Sequence, residues 1–183
     1  VQEVGSLFRA EFDALGFKTT WVDGAPFQRA GHLVAEHAGT GPRILLIGHL
    51  DTVFEPDSPF QKYERVSDSA AKGPGITDMK GGNVIIVQAL KALKSAGVLS
   101  SMNIIVVMTG DEEAAGRPLT MSREALVNAA KGADIAIGFE DGDGNPATAV
   151  IARRGTTNWT LTVKGRPAHS SQIFNAENGY GAA

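Results

Sequence analysis

The chain has 183 residues, 43% of them hydrophobic and 20% charged, the composition of a globular protein of one domain or slightly more. It has no cysteine, which excludes a disulfide scaffold, a thiolate zinc site, a cysteine nucleophile and an iron–sulfur cluster. With 17 basic and 20 acidic residues the net charge is −3; no basic stripe suggests nucleic-acid binding, and no apolar run approaches the ~18 residues of a membrane span.

The 22 glycines sit mostly at the ends of apolar runs, where tight turns of an α/β protein fall. Residues 3–15 read as an amphipathic helix, with Val4, Leu7, Phe8, Phe12 and Leu15 near helical spacing and Gly16 as its stop. Short strands are predicted at 17–22 and 31–37. Arg43 to Gly48, RILLIG, is a continuous apolar run of the kind a strand buried on both faces shows. A polar stretch, 54–75, leads into a glycine-rich turn. Residues 82–96 predict a helix, with Val84, Ile85, Gln88, Ala89, Ala92 and Leu93 in register and Gly97 as the stop. Strands follow at 102–109, 134–139 and 148–153, with a helix at 122–130 whose predicted N-cap is Ser122. This order implies right-handed crossovers and an α/β fold, a mostly parallel twisted sheet flanked by helices. After Gly155, Trp159, Leu161 and Val163 alternate with polar residues, which suits a half-exposed antiparallel strand. A domain boundary is expected near 154–157. The chain begins at Val1 rather than Met, so loss of an upstream segment is expected, and the compartment stays open between cytoplasmic and periplasmic or secreted.

In an open parallel sheet, functional groups gather beyond the carboxyl ends of strands. RILLIG runs into His49-Leu50-Asp51, MNIIVVMTG into Asp111-Glu112-Glu113, and DIAIGF into Glu140-Asp141, while Asp78 lies in the glycine-rich turn before the helix. Taken singly, Asp78 could cap that helix and the three consecutive acids could be a solvated loop. Together, four or more carboxylates at one sheet edge would repel unless a divalent cation joined them. One histidine among carboxylates suits zinc, manganese or cobalt. On a strand, Asp51 would point the same way as His49 and could accept from its second ring nitrogen. Of Glu112 and Glu113, one could bind metal while the other faces water as a base. His32 and His37 have no carboxylate at a telling spacing and read as structural. DGDGN at 141–145 lacks the later residues of a calcium loop, and no phosphate-binding GxxxxGK[ST] occurs.

The segments GHLDTV (48–53), GPGITDMKGG (73–82), GDEE (110–113), FED (139–141) and GRPAHSS (165–171) together resemble the co-catalytic zinc aminoacylase/carboxypeptidase family. That family includes glutamate carboxypeptidase, acetylornithine and succinyl-diaminopimelate deacylases and peptidase T. The resemblance implies a three-layer zinc-exopeptidase-like catalytic domain over 1–155, in part, and the beginning of an α+β lid and dimerisation domain over 156–183. It implies two zinc ions per complete site, with cobalt or manganese as alternatives. His49 and Glu140 would bind one zinc, Asp78 would bridge both, and Glu113 would bind the second. Asp51 would orient His49, and Glu112 would be the general base. His169 would reach a partner subunit's site and help hold the substrate carbonyl. The peptide bond after the bridging aspartate, here Asp78–Met79, is commonly cis in this family. The implied activity is hydrolysis of a C-terminal peptide or N-acyl amide bond in a small peptide or N-acyl amino acid, by a homodimer when complete. No histidine follows His169, so the family's second-zinc histidine and its substrate carboxylate clamp are expected beyond Ala183. The alternative is a truncated chain that holds a partial metal site and serves as a dimerising module.

Overall fold

The first helix, α1 (Gln2–Leu15), forms where Val4, Phe8, Phe12 and Leu15 recur on one stripe, and it ends at Gly16 with a left-handed φ of 93°. Phe12 is fully buried, whereas Leu7 is 71% exposed. Leu7 was expected on the apolar face, but it lies one residue before Phe8, about 100° round the helix. In the computed structural model, residues 1–145, 147–152, 154, 155, 157–162, 169 and 171 are described. They belong to two compact units, Val1–Pro146 and Ala147–Ala183.

In the first unit, strands β1 (Lys18–Asp23), β2 (Gly31–His37) and β3 (Arg43–His49) precede a two-residue-stranded hairpin, β4 (Glu64–Arg65) and β5 (Ala71–Lys72). A tight turn, Ile76–Lys80, then opens α2 (Gly81–Ser95), and β6 (Asn103–Thr109), α3 (Leu119–Ser122), α4 (Glu124–Lys131) and β7 (Ile135–Gly138) follow. The main sheet runs β1-β2-β6-β3-β7. It is mixed: β3 is parallel to both β6 and β7, while β2 is antiparallel to both β1 and β6. The parallel half is the part that strand–helix–strand order predicted.

The alternation along β6 shows the three layers. Ile104, Val106 and Met108 enter a core with Phe12 and Leu15 of α1 and Ile86, Val87 and Leu90 of α2. Ile105 and Val107 enter a second core with Leu45 of β3 and Ala129 of α4. Successive strand residues face opposite sides, so a strand covered by helices on both sides must be apolar throughout. Each fully buried large side chain contributes on the order of 1.5–3 kcal/mol of transfer free energy.

Three helix readings are corrected. In α2 the buried stripe is Gly82, Asn83, Ile86, Val87 and Leu90, and Val84 and Ile85, placed inside from sequence, are half exposed. The run VIIV is apolar on every side, so its pattern does not select a face. Ser122 does not cap α4: it ends α3, and its hydroxyl is buried against Asp111. Asp78 does not cap α2, whose N-terminus carries no side-chain cap.

In the second unit, the expected strand at 148–153 is absent from its described residues, 148–152, and Val150 and Ile151 are exposed. The described residues 157–162 are likewise not a strand, with Trp159 and Leu161 mostly exposed; Val163, like Arg153, lies outside the described residues. Alternation gives a segment two faces but supplies no partner for its backbone hydrogen bonds, and no pairing with these segments is present among the described residues. No helix among the described residues is long and apolar enough to cross a membrane.

Candidate metal centre

Because β3, β6 and β7 run parallel, their carboxyl ends fall on one edge, and His49, the segment after Thr109 and the segment after Gly138 meet there. His49 is the last residue of β3 and is 1% exposed. Its backbone is fixed from both sides: its N–H donates to Met79 Sδ at 3.1 Å, and its carbonyl accepts from Asn83 Nδ2 at 2.7 Å. Two glycines make room for this contact between strand and helix. A Cβ on Gly48 would collide with Asn83 Oδ1, and one on Gly82 with the Phe139 carbonyl.

The turn Ile76–Lys80 is closed by the Lys80 N–H donating to the Gly75 carbonyl at 2.8 Å and leaves helical geometry at Asp78 and Met79. The Asp78–Met79 peptide bond is cis, as the resemblance implied. Met79 drops into the core, fully buried, while Asp78 turns back over β3.

The two ring nitrogens of His49 face opposite carboxylates. Nε2 lies 2.8 Å from Asp78 Oδ1 and 3.5 Å from Glu140 Oε1. Nδ1 lies 3.3 Å from Asp51 Oδ1 and 3.2 Å from the Asp51 carbonyl. Asp51 stands two residues past the strand end, and its other contacts tie it to the next segment: Oδ1 accepts from the Glu112 N–H at 3.1 Å and Oδ2 from the Glu113 N–H at 2.9 Å. His49, Asp78 and Glu113 each offer a donor atom within 4.8 Å of the others. Glu113 Oε1 is buried and has no hydrogen-bond partner among the described residues. Glu112 is exposed, and Asp141, next to Glu140, is exposed as well. His169 belongs to the second unit, where its Nδ1 lies 2.9 Å from Ser171 Oγ.

The charges of the site are consistent with this packing. Burial alone would lower the pKa of His49, but hydrogen bonds to Asp51 and Asp78 and the charge of Glu140 outweigh it and raise the value to about 9. A proton on His49 thus does what a cation between His49 and Asp78 would do. Burial raises the pKa of Glu113, and the charges of Asp78, Glu112 and Asp51 push it the same way, with the charge of His49 opposing. Glu140 is raised by burial and by Asp78, Glu112 and Asp141, with His49 opposing. Burial also acts to raise Asp51, yet its bonds to His49 and the two amides hold it low. Several carboxyls that share one histidine, with a buried oxygen left unpaired among the described residues, fit a divalent cation by donor chemistry.

Three contributors were not anticipated. Asn83 is a polar residue on the buried stripe of α2, and that position was the available signal. Met79 offers sulfur to a backbone amide. Lys80, the one cation of the glycine-rich turn, donates to the Pro74 carbonyl at 3.0 Å, and burial lowers its pKa against the opposing charge of Asp51. A cavity of about 660 Å³ adjoins the site and is lined by Asp51, Glu113, Lys80, Arg29, Leu50 and Phe54 among others.

A three-layer α/β sheet with one buried histidine and several carboxylates at its carboxyl edge defines a candidate metal-binding domain. Residues 45–172 match the model of peptidase family M20/M25/M40, and the chain belongs to that family, whose peptidases are metal-dependent. It is 30% identical over 171 residues to carboxypeptidase G2 of Pseudomonas sp. (strain RS-16), covering 93% of this chain and 40% of that protein. It is 32% identical over 187 residues to the succinyl-diaminopimelate desuccinylase of Rhodospirillum rubrum, covering 90% of this chain and 46% of that one. The chain therefore spans less than half the length of these relatives. Among solved structures, an M20 family metallo-carboxypeptidase from Sulfolobus solfataricus superposes with a TM-score of 0.60 at 21% identity, over 78% of this chain and 33% of that one, a likeness of fold.

Proposed function

We propose that the chain carries the N-terminal part of a zinc-dependent hydrolase of the glutamate carboxypeptidase type, cleaving a C-terminal peptide or N-acyl amide bond. The observation that carries this reading is the convergence of His49, Asp78 and Glu113, with one buried oxygen of Glu113 unpaired and Glu140 3.5 Å from His49. In this reading residues 1–155 belong to the catalytic domain and 156–183 begin the lid, and the whole protein works as a homodimer on small peptides or N-acyl amino acids.

His49 and Glu140 would hold one zinc ion, Glu113 a second, and Asp78 both. Bound zinc would supply Lewis acidity and lower the pKa of water at the site towards ~7. Asp51 keeps the His49 ring in place through Nδ1, so that Nε2 faces Asp78 and Glu140. Glu112, anchored by its backbone to Asp51 and exposed at the site, takes a proton from the attacking water and delivers it to the leaving amine. His169 of the GRPAHSS segment would reach the site of a partner subunit and help hold the substrate carbonyl there.

The test is Glu112→Gln. Zinc binding by calorimetry should stay within a few-fold of the parent, while hydrolysis of peptide and N-acyl amino acid substrates falls by 10²–10⁴-fold, the range of a lost acid–base group. Near-normal turnover would sink the assignment. Retained zinc binding with no turnover in the whole protein, extended beyond Ala183, on either substrate class would favour a non-catalytic metal-binding module.

A further inference from the structure

Asp111 is the one acid of the GDEE segment that the proposed reaction does not use, and it is fully buried. Its carboxylate is occupied by its own chain. Oδ2 accepts from the Gly116 N–H at 2.8 Å and from Ser122 Oγ at 2.5 Å. Oδ1 accepts from Arg123 Nη1 at 2.5 Å, and the Asp111 carbonyl accepts from Arg123 Nη2 at 3.2 Å. The segment from 111 to 123 is therefore a closed loop, knotted at Asp111. A second set of contacts holds the knot against β2: the Gly110 N–H donates to His32 Nδ1 at 3.1 Å, and His32 Nε2 lies 2.8 Å from the Ser122 carbonyl. His32 is stacked on Phe27, whose carbonyl accepts from the Arg117 N–H at 3.0 Å.

The next two residues after the knot face the other way. The N–H groups of Glu112 and Glu113 point at the two oxygens of Asp51. Asp51 in turn meets His49. Asp111 and Asp51 thus grip the same three-residue stretch from opposite sides, one from the interior and one from the metal centre.

We infer that Asp111 is the positioning residue for the glutamates that follow it: by tying residues 116, 122 and 123 to the start of the loop, it aims the Glu112 and Glu113 amides at Asp51 and sets where both carboxylates stand. The placement of Glu112 as base and Glu113 as metal donor rests on the hydrolase reading; the aiming of the two amides does not. Asparagine cannot substitute, because three donors converge on the carboxylate and an amide nitrogen would face one of them.

The experiment compares the intact protein with Asp111→Asn and with Phe12→Leu, a control that loosens the core on the α1 side without touching the loop. Amide hydrogen exchange is read at Glu112 and Glu113 in metal-free protein, and zinc affinity is read by calorimetry. Asp111→Asn is expected to speed exchange at both amides at least tenfold and to weaken zinc binding by about 10–100-fold, the usual effect of losing a group that orients metal ligands. Phe12→Leu should lower the melting temperature and move neither readout. If Asp111→Asn melts lower but leaves both amide rates and the zinc Kd within twofold of the parent, Asp111 is only structural and the inference is wrong. Should Asp111→Asn fail to fold, Arg123→Lys, which keeps a charge but loses the two-pronged grip, must move both readouts in the same direction, and no movement overturns the inference. A whole protein, extended beyond Ala183, that shows no metal-dependent hydrolysis would defeat the hydrolase reading while the exchange comparison still decides the role of Asp111.

Discussion

Replacing Glu113 by glutamine should make the metal-free protein more stable and its metal-bound form less so. In the absence of metal, Glu113 has a buried oxygen without a partner among the described residues and sits among the charges of Asp78, Glu112 and Asp51, which His49 only partly offsets. An unsatisfied buried group costs about 1–3 kcal/mol, and glutamine removes the charge that makes the cost largest. A gain of about 1 kcal/mol corresponds to a rise of roughly 2–4 °C in Tm for a chain of this size. The gain depends on pH. The ordinary value for Glu113 is 4.5 and its folded value is higher, so between the two the folded chain holds more protons than the unfolded one. Stability of the parent therefore falls as pH rises through that window, and the variant lacks this fall. With zinc at a hundredfold excess over Kd the parent should gain about 2.7 kcal/mol, which the variant should largely forfeit. Differential scanning calorimetry of chelator-treated protein, with and without added zinc, at pH 5 and pH 7.5, reads all of these. A metal-free variant that melts below the parent, or one that keeps the full zinc-induced rise, would refute the picture of Glu113 as a strained donor.

Zinc affinity should weaken steeply on acidification, because binding must displace the proton that His49 holds up to about pH 9. Calorimetry from pH 9 to pH 6.5 should show Kd rising by up to tenfold per pH unit, and a flat profile would remove His49 from the ligand set. For the metal-free chain the sign is opposite: the stabilisation from protonated His49 is complete below its ordinary value of 6.5 and is lost as pH rises through about 9. Gly48→Ala should cost about 1–3 kcal/mol by overpacking against Asn83 Oδ1, read as a lower urea midpoint, and Asn83→Ala in the same chain should restore part of it.

The elements that sequence predicted well are those whose pattern has only one structural solution. Ile44 to Ile47 is apolar at every position, and Leu45 and Leu46 are buried on opposite faces of β3, in different cores. The parallel edge that gathers His49, Glu113 and Glu140 follows from that kind of strand. The antiparallel half could not be read, because nothing in residues 31–37 names the strand they pair with. Asp111, Glu112 and Glu113 are three acids in a row, and their different fates depend on Arg123 and Ser122 folding back a dozen residues later. Ser122 itself shows the ambiguity of hydroxyl side chains, which cap helices and fill buried donor positions with the same chemistry. In residues 157–162 the alternation was real, but a face pattern does not create a neighbouring strand.

The strand order β1-β2-β6-β3-β7 has a consequence for how the chain is made. Both neighbours of β3 lie later in the sequence, so when residues 43–49 leave the ribosome they find no edge to pair with until residues 103–109 have been synthesised. At ~5–20 residues per second, that leaves several seconds in which an apolar, unpaired strand is open to the wrong partner. β1 and β2 can close on each other at once, but they cannot shelter β3, because β6 must come between them. Production of the protein should accordingly be sensitive to temperature and to chaperone supply, and the segment most exposed to error is the one that ends in His49.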